Sequence, residues 1–337
     1  MPQDEGKMLL ASSPHFMSPV NSRRLMLNVI IALAPCAIYG VVLFGLPAAI
    51  TIVVSIVSAV AAESLFRRII KREVRAADLS AVVTGLLLAL ILPPAAPLWM
   101  TALGAAFAVI VAKEFFGGLG ANVFNPALIG RAFLLMSFPL AIATWQNPSG
   151  GADAVSAVTP LGIIASGGSV SELGRSLAVA GLASGSDYAS VIKTLFIGNH
   201  AGSIGESSIL LICAGFIFLL ATKTIDWRTP VSMITASFFF SLILGLDPLV
   251  SILSGGLVFG AVFMATDYAT SPLTPKGKII FGIGAGLITV LIRRWGTYPE
   301  GVTYGILIMN GVTPFLNRLL PKKYGFVPAK PSEGNIR

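Results

Sequence analysis

Three residues spaced three apart, Asp153, Ser156 and Thr159, carry the most definite chemistry in this chain. Thr159 offers a hydroxyl that an ester could use. Ser156 stands three residues back on the same side of a turn, and Asp153 can order the backbone through its carboxylate. Ser and Thr are common at this spacing, so the rest of the chain decides how the pattern is read.

A second group lies at 117–131, where Gly117, Gly118 and Gly120 permit tight turns and close backbone approach. Pro126 suits the first turn of a helix, where its missing N–H costs nothing. Asn122, Asn125 and Arg131 follow within or beside an apolar run. Ionisable groups there are expensive and tend to face a cavity or a partner, with snorkelling to the interface as the plain alternative for Arg131. Asp267 closes another apolar run. It suits a cap for the next segment, a pair for Lys278, or the edge of a polar cofactor pocket or ion entrance.

Other chemistries find no support. His15 and His200 are isolated, and there is no His pair, Cys-x-x-Cys or P-loop, so no metal site is expected. Cys36 and Cys213 cannot make a disulfide framework or a four-thiolate cluster. Gly282, Gly284 and Gly286 sit in an apolar run with no strand before them, which suits close helix packing rather than a dinucleotide loop.

The elements that must position these residues follow from composition. Of 337 residues, 55% are hydrophobic and 11% charged, against about 25% charged in soluble domains. The chain therefore reads as an all-α integral membrane protein. Its net charge of +8 falls mainly between apolar runs, as the positive-inside rule predicts, which makes nucleic acid an improbable partner and membrane lipids the natural one. No cleavable signal is expected. About ten spans of bilayer length are predicted, near 25–45, 47–66, 79–93, 99–115, 125–142, 206–222, 229–245, 248–265, 278–295 and 301–320. Several are short, as tilted or broken helices around a cofactor or pathway would be.

Arg67, Arg68, Lys71, Arg72 and Arg75 crowd the loop after the second span, which should be cytoplasmic. Both termini are then cytoplasmic, and 146–205, too polar and glycine-rich to cross, lies outside. Arg293 and Arg294 fall at an outer end, against the rule. A faint internal repeat accounts for this. Residues 110–115 align with 290–295, so that Lys113 matches Arg293; Ser80 and Gly85-Leu86 match Ser251 and Gly256-Leu257. A unit of five spans must be inverted in the second half. The expected organisation is a tail at 1–22, a five-helix repeat at 23–145, an outer segment at 146–205, a second five-helix repeat at 206–320 and a tail at 321–337.

Residues 117–131, 263–267, 276–278 and 291–301, together with the Asp153-Ser156-Thr159 pattern, occur in an order that resembles the family comprising the D subunit of Rnf complexes and the B subunit of the sodium-pumping NADH:quinone reductase. The resemblance covers about residues 20–325. It implies a prokaryotic plasma (inner) membrane electron carrier in a complex that couples ferredoxin oxidation and NAD reduction to Na⁺ or H⁺ movement. It implies FMN joined by a phosphoester to Thr159, placed there by a flavin transferase, with Ser156 and Asp153 shaping the acceptor turn. Riboflavin, held without a covalent bond, is a second implied cofactor. Arg293 and Arg294, on the same outer side, are candidates to lie near flavin or phosphate charge; Asn125, Arg131 and Asp267 are further candidates for cofactor contact. Iron–sulfur clusters, a second FMN and the NADH site would belong to other subunits of the complex. One departure stands out: the acceptor often reads Ser-Gly-Ala-Thr in the quinone reductase, whereas Ala157 and Val158 stand here. The competing reading from the residues alone is a solute or ion transporter or channel of inverted five-helix repeats with no redox role.

Overall fold

The computed structural model describes residues 21–73, 76–148, 159–183, 185–296 and 300–319. Among them the regular elements are helical, as an apolar solvent requires, because a helix satisfies its backbone polar groups within one segment. Helices α1 (Ser22–Phe44) and α2 (Leu46–Ile69) are joined through Gly45, whose φ of 73° lies in the left-handed region that favours glycine. These two and α14 (Pro275–Trp295) are long and apolar enough to cross a membrane. Ile38, Val42, Val53 and Val57 on α1 and α2 are exposed, a surface that suits lipid rather than water.

Helix α3 (Ser80–Ile91) has 12 residues. At 1.5 Å per residue it spans about 18 Å, roughly half a bilayer core. It is buried along almost its whole length and stops before Pro93 and Pro94. Helix α4 (Leu98–Val109) runs on into a π-helical turn, Ile110–Glu114. Helices α5 (Pro126–Ser137) and α6 (Pro139–Ile142) follow.

The middle of the chain is a small helical cap of α7 (Pro160–Ala165), α8 (Val170–Val179) and α9 (Tyr188–Ile197). It has its own core of Leu173, Leu177, Leu182, Val191 and Leu195, closed by Val250 of α12. Residues 201–207 then return to the bundle, where Ala201, Ser203, Ile204 and Ser207 are buried.

The remaining helices are α10 (Ile209–Ala221), α11 (Arg228–Ile243), α12 (Pro248–Leu253), α13 (Leu257–Phe259) with a second π-helical turn at Gly260–Met264, α14, and α15 (Val302–Leu316). The predicted third and eighth spans, 79–93 and 248–265, are the interrupted ones. Helix α2 packs on α3 and α4, and α4 on α5; α11 packs on α12 and α14, and α14 on α15; α1 meets α10.

Candidate functional site

Thr159 is the N-cap of α7: its hydroxyl oxygen accepts a hydrogen bond from the Gly162 amide at 3.0 Å, and Pro160 takes the first helical position. Ser156 and Asp153 lie outside the described residues. Leu161 and Ile164 of α7 line a cavity of about 70 Å³ together with Asp247, Ser251, Arg293 and Arg294. The structure thus brings Arg293 and Arg294 to the Thr159 end of the molecule. Their roles there differ. Arg293 is buried and donates to the Ser251 carbonyl, to the Ser251 hydroxyl at 3.3 Å and to the Ser254 carbonyl at 3.3 Å. Arg294 is exposed and has no partner among the described residues.

Arg293 therefore closes the carbonyl end of the short helix α12. Arg131 does the same for α3. The last carbonyls of that half-helix would otherwise be orphaned in an apolar core. Leu90 accepts from the Gly205 amide at 2.7 Å, Leu92 from the Ile204 amide at 3.3 Å, and Ile91 from the Arg131 guanidinium. Arg131 also pairs with Glu300 and stands 3.5 Å from Glu206. It is 3% exposed, so it does not snorkel. Glu206 seats against Gly256, where any Cβ would collide with its carboxylate. One acidic group and the extended strip 203–206 thus join the two broken helices near the middle of the bundle. The Nε atoms of both arginines, and Nε2 of the buried His200, have no hydrogen-bond partner among the described residues.

At the other end, the π-helical turn after α4 sets Lys113 and Glu114 facing α2 and α3. A π turn adds a residue to the ring, as the Phe115 amide to Ile110 carbonyl bond of 3.0 Å shows, and re-aims the side chains that follow. Lys113 donates to Glu63 at 2.9 Å and to the Ser80 hydroxyl at 2.6 Å. Arg67 holds Glu114 in a two-pronged pair at 3.1 and 2.9 Å and reaches Glu63 at 3.5 Å. All four charged groups are buried. Asp78 receives both the amide and the hydroxyl of Ser80.

Beside this cluster lies a narrow cavity, about 50 Å³, lined by Lys113, Asn122, Asn125 and Asp267. It shares Met26, Val83, Leu87 and Asp267 with a neighbouring cavity of about 40 Å³. Asn125 caps α5 through its side-chain oxygen, accepting from the Ala127 and Leu128 amides at 3.0 and 3.3 Å, and donates across to the Met264 carbonyl of the second π turn at 3.3 Å. Asp267 accepts from the Thr270 hydroxyl at 3.1 Å. Lys278 is not its partner: that ammonium reaches Asp226 at 3.1 Å.

Of the predicted residues, Thr159, Arg293 and Arg294 share one end, Asn125 and Asp267 share the other, and Arg131 stands between them. Sequence reasoning passed over Glu63, Glu114 and Glu206 and placed Arg67 in a loop. The signal was present: Glu63 falls inside a predicted span with Arg67 four residues on, the spacing of helical neighbours.

The chain matches the NQR2, RnfD, RnfE family over residues 9–325. It is 42% identical to the D subunit of the proton-translocating ferredoxin:NAD(+) oxidoreductase complex of Clostridium ljungdahlii, covering 94% of this chain and 96% of the relative. It is 40% identical to the D subunit of the Na(+)-translocating ferredoxin:NAD(+) oxidoreductase complex of Acetobacterium woodii, covering 97% and 98%. It is 39% identical to the D subunit of the ion-translocating oxidoreductase complex of Stutzerimonas stutzeri, covering 90% and 92%. With a family match over nearly its whole length and relatives of this identity, the chain is a member of the NQR2, RnfD, RnfE family.

Proposed function

We propose that this chain is the D subunit of an ion-translocating ferredoxin:NAD(+) oxidoreductase complex and that it carries FMN on Thr159. The observation that carries complex membership is the end-to-end similarity to relatives whose names all give that role. Two of them, nearly equal in identity, are named for different ions, so similarity favours neither Na⁺ nor H⁺. Residues for the iron–sulfur and nucleotide chemistry come from partner subunits.

The attachment reading rests on the residues at the Thr159 end. Bound FMN supplies one- and two-electron transfer. Thr159 Oγ1 would carry the phosphate. Arg294, exposed and unpaired among the described residues, is placed to face its charge. The cavity of about 70 Å³ is far below the few hundred Å³ of an engulfing ligand pocket. This chain would therefore tether the flavin and leave its ring at the surface, open to a partner subunit. Intact-mass measurement after co-expression with a flavin transferase tests the reading. An adduct lost in Thr159→Ala and retained in Ser156→Ala supports it. An adduct on Ser156 moves the site, and no adduct at all favours the transporter reading.

Riboflavin, if held, would find amides and apolar walls together in the joined cavities beside Asn125 and Asp267. Those spaces are smaller than a flavin ring, so side chains there would have to part. Counting the flavin released by denaturation, apart from the covalent fraction, checks this.

We also read the bundle as ten spanning segments in two inverted repeats, with both termini in the cytoplasm of a prokaryotic plasma membrane. Matched contacts support the repeat. Lys113 bonds Ser80 as its counterpart Arg293 bonds Ser251, and the helix pairs α2–α4 and α4–α5 correspond to α11–α14 and α14–α15.

A further inference from the structure

At the Lys113 end of the molecule, away from Thr159, the roomiest described cavity opens between the end of α10 and the start of α14, with a volume of about 460 Å³. Lys223, Asp226, Trp227, Tyr268 and Lys278 line it. Trp227 also tops a second hollow of about 420 Å³, an apolar groove between α11 and α14 walled by Val231, Phe239, Ile279 and Ile283. The polar mouth and the apolar groove are therefore continuous.

The charges at the mouth are fixed and unbalanced. Asp226 accepts from Arg228 at 2.9 Å and from Lys278 at 3.1 Å, so one carboxylate holds two cations in place. Lys223 adds a third. It sits just past α10 at φ 53°, in the left-handed position that glycine usually fills. The amide of Lys223 bonds Leu220 at 3.0 Å and that of Thr224 bonds Leu219 at 2.9 Å, which completes the helix-ending turn. Lys71 ends α2 in the same way at φ 55°, and a cation there also favours the helix dipole. At Lys223 the strained backbone additionally carries the ammonium to the cavity wall.

The dimensions select the occupant. From Trp227 to Phe239 the groove follows α11 for 12 residues, about 18 Å, close to the roughly 15 Å of hydrocarbon in one leaflet. Trp227 and Tyr268, both exposed, stand at the level where amphipathic rings mark the headgroup layer. Arg228 lies over the Trp227 ring at 5.4 Å, which orders the rim.

We propose that this cavity and groove bind an anionic phospholipid, its phosphate held by Lys223, Arg228 and Lys278 and one acyl chain lying along the α11–α14 groove. The site needs neither flavin nor ion and stands apart from the function proposed above. It is a specific lipid seat among the general lipid contacts of the bundle.

The test uses the intact complex, reconstituted with phosphatidylglycerol or phosphatidylcholine, exchanged into detergent and analysed by native mass spectrometry. Retained phosphatidylglycerol well above phosphatidylcholine is expected. Lys223→Gln and Arg228→Gln should each lower retention about fivefold, the effect of roughly one interfacial charge. Thr235→Trp, which fills the groove and leaves the charges, should lower retention of both lipids. Unchanged thermal unfolding and assembly separate these losses from misfolding. Equal retention of the two lipids, or full retention by the charge variants and by Thr235→Trp, overturns the proposal. So does displacement by millimolar inorganic phosphate, which would indicate a simple anion site, or cross-linking of a cysteine at position 235 to a neighbouring subunit, which would indicate a protein interface.

Discussion

Lys113 is 2% exposed, and its ammonium is met by Glu63 and Ser80. Removing one partner of a buried pair leaves the other charge stranded. Lys113→Met should cost about 3–5 kcal/mol, seen as a lower thermal midpoint of the purified subunit or complex. Glu63→Gln combined with Lys113→Met should cost less than the sum of the two single changes. Additive losses would show that the pair is not coupled. The two arginines beside Thr159 separate in the same residue-level terms. Arg293→Gln withdraws a donor from the α12 carbonyls and should destabilise the bundle. Arg294→Gln touches no described partner and should leave stability unchanged. If FMN sits on Thr159, losing the Arg294 cation should lower its potential, because a positive charge favours the anionic reduced ring. An unaltered redox titration would place Arg294 away from the flavin.

At the scale of elements, the half-helices set the interior. Helix α3 stops near mid-bundle, and its carbonyls are satisfied by two amides of the 203–206 strip and by Arg131. Arg131→Met should unpair the Ile91 carbonyl and Glu206 together and cost about 3–5 kcal/mol. Arg131→Lys should restore only part of this, because a point cation cannot reproduce the guanidinium fork. Gly256→Ala is a milder probe of the same junction. Its methyl would meet Glu206, and overpacking of this kind costs about 1–3 kcal/mol. A thermal midpoint equal to wild type in Gly256→Ala would mean that the Glu206 side chain moves freely. The element boundaries here were only partly legible. Pro93 and Pro94 announce the end of α3. Nothing local announces that the strip 203–206 turns back to meet it, since its residues are individually polar or small.

For the whole molecule, the proposed orientation makes a direct prediction. A cysteine introduced at Ser169, in the capping-box turn that starts α8, should react with an impermeant thiol reagent applied from outside intact cells. One at Arg72, just beyond α2, should react only after the membrane is opened. Cys36 is buried and Cys213 half-buried, so background labelling should be low. The opposite pattern would invert the bundle and put the Thr159 end in the cytoplasm.

The sequence by itself determined the class of this protein, because hydropathy and charge spacing are local properties and lipid admits few backbone solutions. It also placed the helices to within a few residues: α1 was expected at 25–45 and runs Ser22–Phe44, and α14 was expected at 278–295 and runs Pro275–Trp295. The order of its motifs pointed to the family. Only the tertiary structure decided which buried charges meet. Glu63 and Lys113 are 50 positions apart, and Arg131 and Glu300 are 169. Such partners are chosen by where helices cross and where a π turn re-aims a side chain. An ion pair in a low-dielectric core is a property of those crossings, and it leaves no mark on either residue's neighbours in the chain.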